Sequence, residues 1–183
     1  MRIIGGTVKG TLIKSLKGEE VRPTSDKVRE ALFDILYGRL EGATFLDCYA
    51  GSGAIGIEAL SRGASKAVFV EKDGKVASLI RQNLTKCKLE EKAIIIKGDF
   101  ESSVGDIKKH QDSFDIVFAD PPYQGADYRK IVEIVEGEGL LEENGILIIE
   151  HLKKAEVPAE WNRIRSFKRK NYGQTTLSFY QSR

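Results

Sequence analysis

Five short, unbroken apolar runs, each separated from the next by a stretch with helical spacing, constrain this chain more than any other feature. They are Phe45-Leu46-Asp47-Cys48, Ala67-Val68-Phe69-Val70, Ala93-Ile94-Ile95-Ile96, Ile116-Val117-Phe118 and Ile146-Leu147-Ile148-Ile149. A strand with one wet face alternates apolar and polar residues, whereas a continuous run marks a strand covered on both faces, which means a parallel sheet with helices on either side. The segment between the second and third runs shows the helical partner, with Val76, Leu79, Ile80 and Leu84 on one face. The rhythm breaks after residue 151, where 163–168 and 175–180 read as two β segments turning at Tyr172-Gly173. The expected fold is therefore α/β, Rossmann-like and doubly wound, with a seven-stranded, mostly parallel sheet closed by an antiparallel C-terminal hairpin.

Ahead of the first run, Gly5, Gly6 and Gly10 suit a hairpin, and Pro23-Thr24-Ser25 leads into an amphipathic helix striped by Val28, Ala31, Leu32, Ile35 and Leu36. Thr24 or Ser25 is its expected cap, and Arg22, Lys27 and Arg29 are expected to stay off the apolar face. A chain of 183 residues, 41% hydrophobic and 31% charged, suffices for one well-buried core. Cys48 and Cys87, with His110 and His151, lack the spacing of a metal site, so none is expected. The N-terminus lacks the apolar run of a signal peptide, and no stretch approaches the ~20 apolar residues that cross a bilayer. A cytoplasmic location, away from membranes, is expected.

The net charge of +2 conceals basic ends: residues 1–30 carry +3, residues 151–183 carry +6, and residues 31–150 carry −7. An acidic centre with basic flanks suits a cationic cofactor rimmed by a polyanion-binding surface.

The first run leads into Asp47-Cys48-Tyr49-Ala50-Gly51-Ser52-Gly53-Ala54-Ile55-Gly56, a strand-to-helix turn containing G-x-G-x-x-G. Gly51 and Gly53 let a ligand approach the backbone, and Glu71, ending the second run, stands where an acid bonds both hydroxyls of an adenosine ribose, with Lys72 beside it. Thus far NAD and S-adenosylmethionine fit equally. Asp47 separates them, because a carboxylate in the loop repels a pyrophosphate and favours the cationic amino-acid end of S-adenosylmethionine. Asp99 and Phe100, after the third run, can accept from the adenine amino group and pack on its ring.

After the fourth run comes Asp120-Pro121-Pro122-Tyr123. Neither proline donates a backbone hydrogen bond and both fix φ near −65°, so a carboxylate, a rigid carbonyl and a flat ring stand together. That set suits a planar heterocycle bearing an exocyclic NH2, hydrogen-bonded through the amine and stacked on Tyr123. All these groups fall at the carboxyl ends of strands, where open α/β sheets bind ligands.

The chain resembles the bacterial methyltransferases that modify a guanine 2-amino group in 16S ribosomal RNA. The resemblance runs nearly end to end, through Met1-Arg2-Ile3-Ile4-Gly5-Gly6, Arg22-Pro23-Thr24, Val28-Arg29-Glu30-Ala31-Leu32-Phe33 and Tyr172-Gly173 with Leu177. It implies a single methyltransferase domain over 1–183, with a hairpin-and-helix extension at 1–40 and a catalytic core at 41–183. It also implies S-adenosylmethionine as cofactor and S-adenosylhomocysteine as product. Asp120, Pro121, Pro122 and Tyr123 become the catalytic candidates, and Thr24, Asp47, Tyr49, Gly51, Gly53, Glu71, Lys72, Asp99 and Phe100 the cofactor candidates. Arg22, Arg29, Lys168, Arg169 and Lys170 are the candidate RNA surface. The expected partner is ribosomal RNA or a small-subunit assembly intermediate, met by a monomer. Asp-Pro-Pro-Tyr also serves adenine and cytosine amino methyltransferases on DNA or other RNA, and a non-catalytic RNA-binding protein on the same scaffold is a further alternative.

Overall fold

A computed structural model describes residues 1–15, 26–123 and 125–182. In chain order it contains α1 (Asp26–Ile35), β1 (Thr44–Asp47), α2 (Ala54–Ser61), β2 (Lys66–Glu71), α3 (Gly74–Cys87), β3 (Ala93–Lys97), α4 (Val104–Lys108), β4 (Phe114–Ala119), α5 (Tyr128–Gly137), β5 (Leu141–Leu152), β6 (Glu160–Trp161), β7 (Ile164–Tyr172) and β8 (Thr175–Ser182). The strands form one sheet in the order β3-β2-β1-β4-β5-β8-β7-β6. β1 to β5 pair in parallel, while β5 with β8, β8 with β7 and β7 with β6 pair antiparallel. Among the described residues the sheet thus has eight strands rather than the expected seven. The addition is β6, whose two residues pair with Arg165 and Ile164 and are too few to show a period in sequence.

The apolar runs stay dry because each face of the sheet has its own cluster. Phe45, Ile116, Phe118, Ile146, Ile148, Leu177 and Phe179 meet α1 to α3 and the N-terminal hairpin on one side. Leu46, Val68, Val117, Leu147, Ile149 and Tyr180 meet α5 on the other. Alternation along β1 therefore puts Asp47 on the first face with Phe45. β1, β2 and β3 end in Asp47, Glu71 and Lys97, Asp120 directly follows β4, and the loops after these parallel strands lie at one edge of the sheet.

The N-terminal hairpin is real but minimal, with a bridge between Arg2 and Leu12 and bonds from the Ile3 N–H to Thr11 O (3.0 Å) and the Gly10 N–H to Ile3 O (2.8 Å). It sits on the end of α2, where the Thr7 N–H donates to Ser61 O (2.7 Å) and the Ser61 hydroxyl to Gly5 O (2.6 Å). Gly6 has φ 74°, and a Cβ there would stand 1.8 Å from the Ser61 carbonyl oxygen, so only glycine fits.

The same junction corrects the expectation for Arg29. Its side chain is 0% exposed, donates to the Arg2 carbonyl (2.5 Å) and Asp26 (3.0 Å), and lies 4.0 Å from Glu58 of α2. Glu58 is also buried and accepts from the Ile4 N–H (2.9 Å) and Arg62 Nε (2.8 Å). A side chain without exposed surface cannot touch RNA phosphates. Arg29 instead helps anchor the N-terminal extension to the core, and the buried face of α1 extends past the expected stripe to include Arg29 and Phe33. The expected helix caps, Thr24 and Ser25, lie outside the described residues.

Candidate active site

The loop after β1 is pinned by its neighbours: the Cys48 N–H donates to Phe118 O and the Ala50 N–H to Val70 O, both at 2.9 Å. Gly51 and Gly53 then adopt left-handed φ values of 52° and 78°, a conformation that favours glycine. Gly53 caps α2 without a side-chain bond, leaving the helix N-terminus open toward the loop. Glu71 closes one wall, one oxygen accepting from the Gly51 N–H and the other from the Asp73 N–H, both at 2.9 Å. A carboxylate offers about four acceptor positions, so lone pairs remain on Glu71 beyond these two bonds.

Asp47 is the outlier of the loop. It is 1% exposed, and among the described residues neither carboxylate oxygen has a hydrogen-bond partner. Burial drives its pKa up to about 7, with the Glu71 charge adding to the effect; the backbone of Gly56 and Tyr49 offsets part of it without reaching bonding geometry. A buried carboxylate with no partner is costly unless a ligand supplies one. The amino-acid ammonium of S-adenosylmethionine is a suitable partner, so the residues present fit that cofactor.

Asp99 is exposed beyond β3, as a ligand contact requires, and Lys72 is exposed after Glu71. Phe100 departs from expectation. It is 1% exposed within the second core cluster, and the half-buried Tyr49 lies tilted against it with centroids 5.8 Å apart. Phe100 thus supports Tyr49 from beneath, and Tyr49 holds the more accessible ring. Arg22 and Thr24 lie outside the described residues.

Two participants escaped the sequence reading. Asn83 of α3 is buried, and its amide donates to Ser52 O and Lys14 O, both at 2.9 Å, while it accepts from the Lys14 N–H at 2.8 Å. It ties the glycine loop to the N-terminal extension. Its only signal in sequence is its place three residues after Ile80 on the apolar face of α3. The second is Glu150 of β5, buried one residue beyond the last β4–β5 pair, Ala119↔Ile149.

Asp47 pairs with Phe118 across the sheet, so Asp120 lies two residues further along the adjacent strand on the same face. It is half-buried. Its pKa is pushed well above the ordinary carboxylate range, first by loss of water and then by the charges of Glu150 and Asp47. Pro121 is buried, Pro122 exposed, and Tyr123 36% exposed, leaving part of its ring open. Burial, Asp120 and Glu150 push the Tyr123 hydroxyl up to about 12, and the Thr175 side chain at the start of β8 offsets part of that rise. Three carboxylates and an open aromatic ring therefore crowd the ends of β1, β4 and β5.

The C-terminal basic residues divide by strand alternation. Lys168 and Lys170 are exposed and pair with Phe179 and Leu177, on the sheet face that carries Asp120. Arg169, also exposed, pairs with Ser178 on the other face, where its Nε donates to the Ser178 hydroxyl (3.1 Å) and Nη2 to Val157 O (3.4 Å). That hydroxyl reaches His151 Nε2 at 2.8 Å, while His151 Nδ1 meets the Leu152 carbonyl at 2.8 Å. The carbonyl can only accept, so Nδ1 carries the proton and Nε2 accepts from Ser178. Among the described residues no group of His, Cys, Asp and Glu could hold a metal ion, and no helix is long and apolar enough to cross a membrane.

The family described as Conserved hypothetical protein 95 matches residues 1–181. Ribosomal RNA small subunit methyltransferase D of Haemophilus influenzae is 34% identical over 188 residues, spanning all of this chain and 94% of its own. A hypothetical protein of Thermus thermophilus superposes with a TM-score of 0.82 at 32% identity, covering 98% of both chains. An RNA methyltransferase of Salinibacter ruber, solved with S-adenosyl-L-homocysteine, gives a TM-score of 0.68 at 15% identity over 88% of this chain and 94% of its own, a likeness of fold alone. The architecture is the class I methyltransferase fold.

Proposed function

The chain belongs to the Conserved hypothetical protein 95 family, and from that premise we propose that it is an S-adenosylmethionine-dependent methyltransferase acting on the exocyclic 2-amino group of a guanine in 16S ribosomal RNA. One observation carries the reading. Asp120-Pro121-Pro122-Tyr123 leaves the sheet immediately beside the loop that holds the unpartnered Asp47, so a grip for an amine and a place for a cationic donor share one cleft. The 34% identity to a small subunit methyltransferase supports the choice of RNA. The substrate is free ribosomal RNA or an assembling small subunit, met by a cytoplasmic monomer.

When bound, S-adenosylmethionine supplies an electrophilic methyl group on a sulfonium. Asp47 would meet its ammonium, Glu71, locked by Gly51 and Asp73, would accept from the ribose hydroxyls, and Asp99 would accept from the adenine amine. On the acceptor side, an aromatic amine is a weak nucleophile because its lone pair is delocalised into the ring. Hydrogen bonds from the NH2 to Asp120 and the Pro121 carbonyl draw the nitrogen out of conjugation, orient its lone pair and stabilise the positive charge that grows there. After transfer that nitrogen is strongly acidic, and Asp120 can take its proton directly or through water. Tyr123 stacks on the base, worth roughly 1–3 kcal/mol, once the nucleotide is splayed out of the RNA.

The test is to incubate the protein with labelled S-adenosylmethionine and small ribosomal subunits from a strain lacking the enzyme, then map the label. The expected product is a single N2-methylguanine in 16S ribosomal RNA. Label on adenine or cytosine, or on DNA in a parallel reaction, overturns the reading.

A further inference from the structure

We infer that Glu150 is a specificity-determining residue: together with Asp120 it forms a paired acceptor that reads the ring N1–H beside the amino group, and so selects guanine over bases that lack that proton. This rests on the methyltransferase reading above and names the group that chooses the base.

The placement comes from the sheet. β4 and β5 run in parallel register through Phe118↔Ile148 and Ala119↔Ile149, so Asp120 and Glu150 follow side by side. Phe118 and Ile148 belong to one core cluster, and residues two further along return to that face. Glu150 is 3% exposed, and its charge reaches both the Asp120 carboxylate and the Tyr123 hydroxyl. It therefore lies close enough to Asp120 and to the Tyr123 hydroxyl for its charge to act on both. Asp47, also buried and with both oxygens unpartnered, completes an electronegative wall across three adjacent strands.

Such a wall asks for donors. The Watson–Crick edge of guanine places an N1–H next to the 2-amino group, both donating in the same direction, whereas adenine and cytosine place a bare ring nitrogen beside their amine. Two ionised carboxylates meet both guanine donors but oppose a lone pair at that nitrogen. A carboxylate offers about four acceptor positions, so Glu150 can accept from a base while keeping its contacts within the protein. A cationic donor bound beside Asp47 favours the ionised forms that this recognition needs. Sites built to hydrogen-bond a substrate proton reject analogues without it far more strongly than apolar pockets do.

The test uses the full chain and small subunits reconstituted on 16S ribosomal RNA that carries either guanosine or 2-aminopurine riboside at the mapped nucleotide. 2-Aminopurine keeps the 2-amino group but has no N1–H. Wild-type protein should prefer guanosine. Glu150→Gln, whose amide can donate to a bare N1, should lower the guanosine to 2-aminopurine ratio of kcat/KM roughly 10–100-fold while S-adenosylhomocysteine affinity is unchanged. Glu150→Asp, which keeps an acceptor, should keep the preference. An unchanged ratio in Glu150→Gln, or a wild type indifferent to the two bases, overturns the inference and leaves the methyltransferase reading standing. Lost S-adenosylhomocysteine binding in Glu150→Gln would assign the residue to the cofactor site and also overturn it. If wild type leaves guanosine unmethylated, the functional reading falls, and this inference with it.

Discussion

Glu58 and Asp47 are both buried carboxylates of the β1–α2 unit, yet they are treated in opposite ways. Glu58 accepts from a backbone N–H and Arg62 and has Arg29 beside it, whereas Asp47 has, among the described residues, no hydrogen-bond partner for either oxygen. The first resembles a fastener, since each of its two oxygens is answered, one by the N-terminal extension and the other by α2's own C-terminal Arg62. The second is a charge kept waiting. Burial alone therefore does not distinguish these two acids; what separates them is that each Glu58 oxygen is hydrogen-bonded and, among the described residues, neither Asp47 oxygen is.

The sharpest test of that contrast is Glu58→Ala. Removing this carboxylate leaves the Ile4 N–H and Arg62 Nε without their acceptor and the buried Arg29 with the exposed Asp26 as its remaining charge partner among the described residues, and should destabilise the protein by about 3–5 kcal/mol, read as a lower midpoint in denaturant unfolding. A loss no larger than that of an exposed pair, about 1 kcal/mol or less, would break the comparison.

Asp120→Ala should act on chemistry instead. Removing the acceptor that orients the amine should cost about 10²–10³-fold in kcat, while binding of S-adenosylhomocysteine, measured calorimetrically, stays near wild type. Near-normal turnover would remove Asp120 from the reaction.

Asp47 makes a prediction of opposite sign to Glu58. Its folded pKa, about 7 against 3.8, is raised, so between pH 4 and 7 the folded chain holds a proton that the unfolded chain has released. Stability from this group is complete below pH 4 and is lost as pH rises toward 7, by up to about 4 kcal/mol. Asp47→Asn should flatten that slope. A buried amide still lacks partners, which costs roughly 1–3 kcal/mol, so the net gain at pH 8 should be about 1–3 kcal/mol, accompanied by weaker S-adenosylmethionine binding. Lower stability at pH 8 would show that Asp47 is a fastener too.

What the sequence disclosed follows from how local each signal is. The strands β1 to β5 and the glycine loop were legible because continuous apolar runs and left-handed turns are written in adjacent residues. Arg29 was misread because helical spacing alone assigns a charged residue to water, and its partner Glu58 is 29 positions away and visible only once the chain has folded. Phe100 was misplaced for a related reason: which way a ring turns just after a strand depends on the cluster below it. Glu150 resembled an ordinary acid at the end of an apolar run, and only the β4–β5 register puts it beside Asp120. Sequence thus located the edge of the sheet where chemistry gathers more readily than it divided the roles among the residues there.

The smallest effect concerns the basic hairpin, where three consecutive cations look equivalent in sequence and the strand makes them unequal. Lys168 and Lys170 are free to meet phosphates on the face that carries Asp120, while Arg169 points to the opposite face and is held by Ser178 and Val157. Each phosphate contact removed should reduce the slope of log K against log salt by about 0.7–0.9. Reversing Lys168 and Lys170 together should therefore reduce the slope for RNA binding by nearly two. Arg169→Gln should leave the slope almost unchanged and instead loosen the Ser178–His151 pair, visible as a shift of the His151 ring resonances in NMR. An equal slope change for all three would mean that Arg169 leaves its intramolecular partners when RNA binds, and that the alternation seen along β7 does not govern how the hairpin meets the nucleic acid.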